Sequence, residues 1–257
     1  MSRSTMSSDR EIELELQELI DTYQFIRPDR GNLDAQPAPW RHEKPDYRKA
    51  DLAFFKGKTM NHKPGSLEMI VENLVKTWEM EASHLPDYKT WSSIDADRYQ
   101  FEVNGKHFEG KKAAMMGNYN TLLSVTSKEL YDSDHHTFES SHDVFRGAFP
   151  NGFPWEVLHV FSGPPRVAFS WRHWATFDGS YKENVGEGQL VEMHGFLVAT
   201  VNENLKICKL EVFYKPDEFI KALEGQIPAS DLTRGQEILG SGCPVHKGGG
   251  EFLNGNK

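Results

Sequence analysis

WEVLHVF (155–161), RVAFSWRHWAT (166–176), QLVEMHGFLVATV (189–201) and KICKLEVFY (206–214) follow one another in the second half of the chain, and their reading decides the fold. Apolar and polar side chains alternate along each, the period of a strand with one face buried. Between them stand Ser162-Gly163-Pro164-Pro165, Asp178-Gly179 and Asn202-Glu203-Asn204, clusters that favour tight turns. Consecutive strands joined this way predict an antiparallel sheet.

Upstream the period changes. Leu67, Ile70, Val71, Leu74, Val75 and Trp78 recur at helical spacing behind Pro64-Gly65-Ser66, which predicts a helix capped by Ser66 and running to about His84. Tyr99 to Val103 alternates before Asn104-Gly105, a hairpin signal. Phe138, Ser141, Phe145 and Phe149 give a short helix that Pro150 ends, and further short helices are expected around 218–223 and 232–239. Helices first and hairpin strands afterwards argue for an α+β fold with a curved antiparallel sheet.

Residues 1–63 read as an arm. A helix starts with Ser8 three residues before Glu11, a capping-box spacing, and carries Ile12, Leu16, Leu19, Ile20 and Tyr23 as an apolar stripe. That stripe needs cover from the chain's own core or from a partner subunit. The following tract, with Pro28, Pro37, Pro39, Pro45 and Pro64, is expected to hold no long regular element. The division is therefore an arm over 1–63, an α+β domain over 64–223, and a C-terminal helix with a Gly-rich tail over 224–257.

Composition narrows the partners. The chain has 257 residues, 38% of them hydrophobic, and a formal net charge of -9. That is enough apolar material for a substantial core, and an acidic surface repels phosphate backbones and anionic lipid heads. Nucleic acid and membrane are not expected as partners. With no apolar run of about 20 residues and no apolar segment near the N-terminus, the expected location is cytoplasmic. Cys208 and Cys243 are too few for a disulfide framework or a four-cysteine zinc site, and both are read as reduced thiols.

The stretches PGSLEMIVENLVKTWEME (64–81), GNYNTLL (117–123), FPNGFPWEVLHVFSGPP (149–165), FSWRHWATFDG (169–179) and GQLVEMHGFLVATVNENLKICKLEVFYKPDEF (188–219) together resemble the plant and fungal pathogen-related protein group, a SnoaL-like branch of the nuclear-transport-factor-2-like fold. The resemblance covers most of 40–220 and implies a cone-shaped barrel with an apolar pocket and an outer sheet face often used for dimerisation. That superfamily holds cyclases, dehydratases, isomerases and proteins that only bind, so fold leaves function open.

Alternation sorts side chains by face without saying which face lines a cavity. One face of 189–201 carries Glu192, His194 and Phe196 among apolar groups, and on neighbouring strands stand Trp171 with His173, and Glu211 alternating with Phe213. An imidazole, or a carboxyl raised by burial, can trade protons near neutral pH, which makes His173, His194 and Glu192 the candidate catalytic residues. Trp78, Trp171, Phe196, Phe213 and Glu211 are the candidate substrate-binding residues. Each has an equally simple structural reading: strand histidines are often core residues satisfied by hydrogen bonds, and aromatics at these spacings build plain core.

No cofactor is expected. Asp132-Ser133-Asp134-His135-His136 lacks the i, i+4 histidine pair of a helical zinc site, and Gly105 to Lys111 has Lys112 where a phosphate loop needs Ser or Thr. Cys243-Pro244-Val245-His246 is an isolated four-residue match. The leading expectation is thus a cofactor-independent cyclase, dehydratase or isomerase, acting on a hydrophobic polyketide or terpenoid intermediate of secondary metabolism and working as a homodimer. Dehydration coupled to a hetero-Diels-Alder ring closure is its most specific form. The alternative is a non-catalytic, defence-associated protein holding a small molecule.

Overall fold

A computed structural model describes residues 3–31, 33 and 40–232. Seven helices and eight strands are defined among them: α1 (Arg3–Tyr23), α2 (Arg48–Gly57), α3 (Leu67–His84), β1 (Gln100–Val103), β2 (Lys106–Glu109), α4 (Gly110–Met116), α5 (Asn118–Leu123), α6 (Phe138–Ala148), β3 (Trp155–Ser162), β4 (Arg166–Phe177), β5 (Ser180–Tyr181), β6 (Asn184–Val185), β7 (Gln189–Val201), β8 (Ile207–Tyr214) and α7 (Pro216–Leu223). The fold is α+β, as the order of helical and strand patterns predicts.

The four decisive stretches are β3, β4, β7 and β8. They form the body of a six-stranded sheet of order β2-β1-β8-β7-β4-β3. All pairings are antiparallel except β1 with β8, which is parallel. This exception follows from connectivity: β1 lies more than 100 residues before β8 in sequence, and no tight turn dictates their relative direction. The β1–β2 hairpin turns at Asn104 and Gly105, both at positive φ, which a two-residue turn between right-twisted strands requires. Ser66 caps α3, its side chain accepting from the Met69 amide.

One face of the sheet packs on α3. Phe169, Val157, Ile207 and Leu210 from the sheet join Val71, Val75 and Trp78 in the main core. A second cluster, Phe145, Phe149, Phe177 and Phe219 among others, ties α6 and α7 to the far end of β4 and β7. The outer face is covered at Trp174 by the N-terminal arm, where Leu16 of α1 and Phe54 and Phe55 of α2 are buried against it.

Of the two covers open to the α1 stripe, the structure supplies the one within the chain for Ile12, Leu16, Leu19 and Ile20, while Tyr23 stays exposed. Two expectations change. Helix α1 begins at Arg3, which places Ser8 inside it and not at its cap. The Pro-rich tract does hold a helix, α2, because the interval between Pro45 and Pro64 is itself free of proline. Pro37, Pro39, most of the helix expected over 232–239, Cys243 and the Gly-rich tail lie outside the described residues.

Candidate active site

Between α3, α5 and the inner face of the sheet lies a cavity of about 120 Å³, well beyond the ~10–15 Å³ that one water needs. Its walls are largely aromatic: Trp78 from α3, Phe101 from β1, Tyr119 from α5, Trp155 from β3, Trp171 from β4 and Tyr214 from β8. Strand register determines which residues face it. Trp171 pairs with Gly195 and His173 with Met193, so the cavity side of β7 carries Met193 and Leu197. A Cβ at residue 195 would come within 2.3 Å of the Trp171 ring, so only glycine lets that indole lie flat across β7.

Few polar groups interrupt these walls. On β4, the His173 Nδ1–H donates to the Pro154 carbonyl at 2.8 Å, which fixes the tautomer and leaves Nε2 as an acceptor. Its ring lies 3.6 Å from that of Phe153. Burial pushes the imidazole down to about 3, so it is neutral at physiological pH. On α3, Glu79 also lines the cavity, and no hydrogen bond to its carboxyl is found among the described residues. Burial raises its pKa above the ordinary carboxylate value, with the Arg30 and Lys76 charges pulling the other way. Both cations are engaged elsewhere, Arg30 with Asp51 at 2.6 Å and Lys76 with Glu72 at 2.9 Å. From α5 the Tyr119 side chain also lines the cavity, its hydroxyl held protonated by burial and by Glu79.

The structure brings three sequence candidates to the cavity, His173, Trp171 and Trp78. It separates them from the other five. Glu192, His194 and Phe196 alternate with Met193 and Leu197 on β7, and Glu211 and Phe213 alternate with Leu210, Val212 and Tyr214 on β8, so all five project from the outer face. The expectation that Glu192, His194 and Phe196 share a pocket face with His173 and Trp171 is therefore corrected by a one-residue difference in facing.

On that outer face the charges are paired. Glu192 binds the Arg172 guanidinium, and Arg172 Nη1 also donates to Glu156 and to the Gly57 carbonyl, each at 2.9 Å. Glu156, fully buried, accepts in addition from the Thr59 amide and hydroxyl and the Met60 amide. The network fastens the segment after α2 onto the sheet. His194 sits opposite Arg172, its imidazole lowered by burial against the raising charge of Glu192. Glu211 is held by Lys209 at 3.0 Å and Arg166 at 3.3 Å. Phe196 packs beside Phe161, ring centroids 5.5 Å apart, and lies opposite Phe213 on β8, all three well exposed.

Sequence reasoning missed Glu79 and Tyr119. The signal for Glu79 was present: it stands four residues after Val75, inside the apolar stripe of α3, where a charge is out of place unless it meets a partner or a ligand. Tyr119 gave no comparable signal.

No protein-family model matches the chain. Solved structures similar to it include AclR, an assigned hydroxylase of Streptomyces galilaeus (13% identity, 60% of this chain and 92% of that one, TM-score 0.37). Also similar is an assigned SnoaL-like polyketide cyclase from Jannaschia sp. CCS1 (13% identity, 64% and 96%, TM-score 0.35). A third is IdmH of Streptomyces antibioticus, an assigned polyketide cyclase (12% identity, 60% and 96%, TM-score 0.36). These likenesses concern fold and leave the chemistry open. A pathogen-related protein of barley, Hordeum vulgare, is much nearer, 36% identical over 217 residues that span 81% of this chain and 89% of the barley protein. The chain belongs to the pathogen-related protein family.

Proposed function

We propose that the protein is a cofactor-independent enzyme of the cyclase, dehydratase or isomerase type, acting on a hydrophobic oxygenated small molecule in this cavity. One observation carries the reading: a half-buried carboxyl, Glu79, without a hydrogen-bond partner among the described residues, opens onto an aromatic cavity. A carboxyl raised toward neutrality by burial can give a proton to a bound substrate and take one back. His173 is too weak a base for that task. Its Nε2 serves as a fixed acceptor for a substrate hydroxyl, and Tyr119 as a donor to a substrate oxygen. The walls hold the reacting atoms together, an effect worth up to about 7–11 kcal/mol, so a ring closure needs few polar groups. Dehydration followed by pericyclic closure is the narrowest form of this reading.

The alternative is a binding protein that uses the same cavity without turnover. The weak basicity of His173 and the apolar walls favour it. A test is incubation in D2O with a panel of cyclic hydroxyketones and polyenes, followed by mass spectrometry. Deuterium incorporation or loss of water with the wild type, and neither with Glu79→Gln, supports the enzyme. Ligands that bind yet return unlabelled and intact support the binder.

The domain division and the assembly belong to the same proposal. The barrel over 64–223 supplies the cavity, and the exposed Phe161, Phe196 and Phe213 on the outer sheet face are the surface through which two copies would pair as a homodimer. No helix among the described residues is long and apolar enough to cross a membrane.

A further inference from the structure

We infer that the cavity selects a ligand with a positive charge on a hydrophobic frame, an amine in its ammonium form seated beside Glu79. The inference rests on the reading of this cavity as the functional site, though not on turnover there. Three features converge. Aromatic side chains reach the cavity from several segments, Trp78, Phe101, Tyr119, Phe153, Trp155 and Tyr214 being drawn from α3, β1, α5, the segment before β3, β3 and β8, and ring faces attract cations. Glu79 is the one carboxylate among the lining residues, and it lacks a hydrogen-bond partner among the described residues. Among the described residues no lysine or arginine lines the cavity, and His173 is neutral, so none of them repels a cation there or supplies one to Glu79.

The nearby positive charges are already spent. Arg30 is bound to Asp51 and lies over the Tyr47 ring at 3.8 Å, and Lys76 is bound to Glu72 and lies over the Phe54 ring at 3.5 Å. Neither is a lining residue. A buried carboxyl left without a partner is costly in its charged form, so it either holds a proton or waits for a cation. When an ammonium enters, Glu79 is the carboxylate counter-ion. A proton it held in the empty cavity leaves to solvent, or passes to the amine if the free base enters.

The test compares tryptamine with tryptophol, which differ in an ammonium against a hydroxyl on the same indole-ethyl frame, by isothermal titration calorimetry at pH 7. The wild type is expected to bind tryptamine about tenfold or more tightly than tryptophol. Glu79→Gln should remove that preference by weakening tryptamine far more than tryptophol, and Glu79→Asp should restore part of it. Equal affinity for the two probes, or a preference that survives in Glu79→Gln, overturns the inference while the cavity stands as the site. If neither probe binds and a neutral hydrophobic ketone such as 2-tetralone does, the inference fails alone. If none of the three binds, the reading of the cavity fails with it.

Discussion

The two faces of the sheet carry similar residues and treat them in opposite ways. On the outer face, Glu156, Glu192 and Arg172 are buried and satisfy one another, with backbone amides filling the remaining acceptor positions. Toward the cavity, the Glu79 and His173 side chains are half-buried, and the Glu79 carboxyl and the His173 Nε2 have no such partners among the described residues. A buried charge that is fully paired has its chemistry used up in holding the fold. One that is left unpaired beside open space is available to a ligand, which is why we propose the second face, and not the first, as the functional one.

The largest effect expected from this contrast is on the outer face. Arg172→Leu would leave Glu156 and Glu192 buried together without their shared cation, a loss of about 3–5 kcal/mol. Urea unfolding at neutral pH measures it. A variant as stable as the wild type would mean that water or the Thr59 and Met60 amides carry the two carboxylates unaided, and the difference between the faces would shrink.

On the inner face the pattern should invert. Glu79→Gln is expected to cut turnover about 100-fold or more, the scale of a lost general acid, with unfolding free energy unchanged or slightly raised because a buried ionisable group becomes neutral. A large loss of stability with full turnover per folded molecule would place Glu79 among the structural charges.

His173 sharpens the comparison through pH. Its folded pKa is pushed down to about 3, below the ~6.5 of an unfolded histidine, so between those values the unfolded chain binds the extra proton and stability falls as pH is lowered. Its share of stability is whole above pH 6.5. From pH 7 to pH 5 the wild type should therefore lose about 2 kcal/mol more than His173→Asn. His84 and His142, both lowered to about 4 by burial, act in the same direction and are common to both proteins. The raised Glu79 acts in the opposite direction and also cancels in the difference. Identical acid slopes would show that the imidazole titrates in the fold as it does in the unfolded chain.

How far this was legible in the sequence differs between the same two faces. Alternation in 155–214 gave the strands, their turns and the grouping of side chains, because the pleat has a period of two whatever surrounds it. It could not tell inside from outside: both faces of β7 are rich in large apolar residues, since the arm and the exposed phenylalanines give the outer face its own apolar content. Polar residues on a mostly apolar strand drew attention to Glu192 and His194; Arg172, which binds Glu192 and Glu156 together, comes from another strand, and that pairing was invisible in one dimension. Glu79 was overlooked for the converse reason. It lies on a helix, where charges are ordinary, and only the stripe around it marked the position as inward. The parallel pairing of β1 with β8 had no local signal at all.

The smallest effect should come from Glu211, which the alternating pattern nominated for substrate binding and the register places on the outer face. Its partners are unlike those of Glu156: the Arg166 side chain is 66% exposed and Lys209 is shared with Glu102 at 2.9 Å, so solvent screens the pair and Lys209 keeps a second acceptor when Glu211 is lost. Exposed ion pairs of this kind contribute about 0–1 kcal/mol. Glu211→Gln should accordingly shift unfolding by less than about 1 kcal/mol and leave both turnover and tryptamine affinity at wild-type values. The measurement matters because β8 also supplies Leu210, Val212 and Tyr214 to the cavity. A change in affinity with stability intact would mean that this strand passes the state of one face to the other, and that treating the faces as independent is wrong at β8.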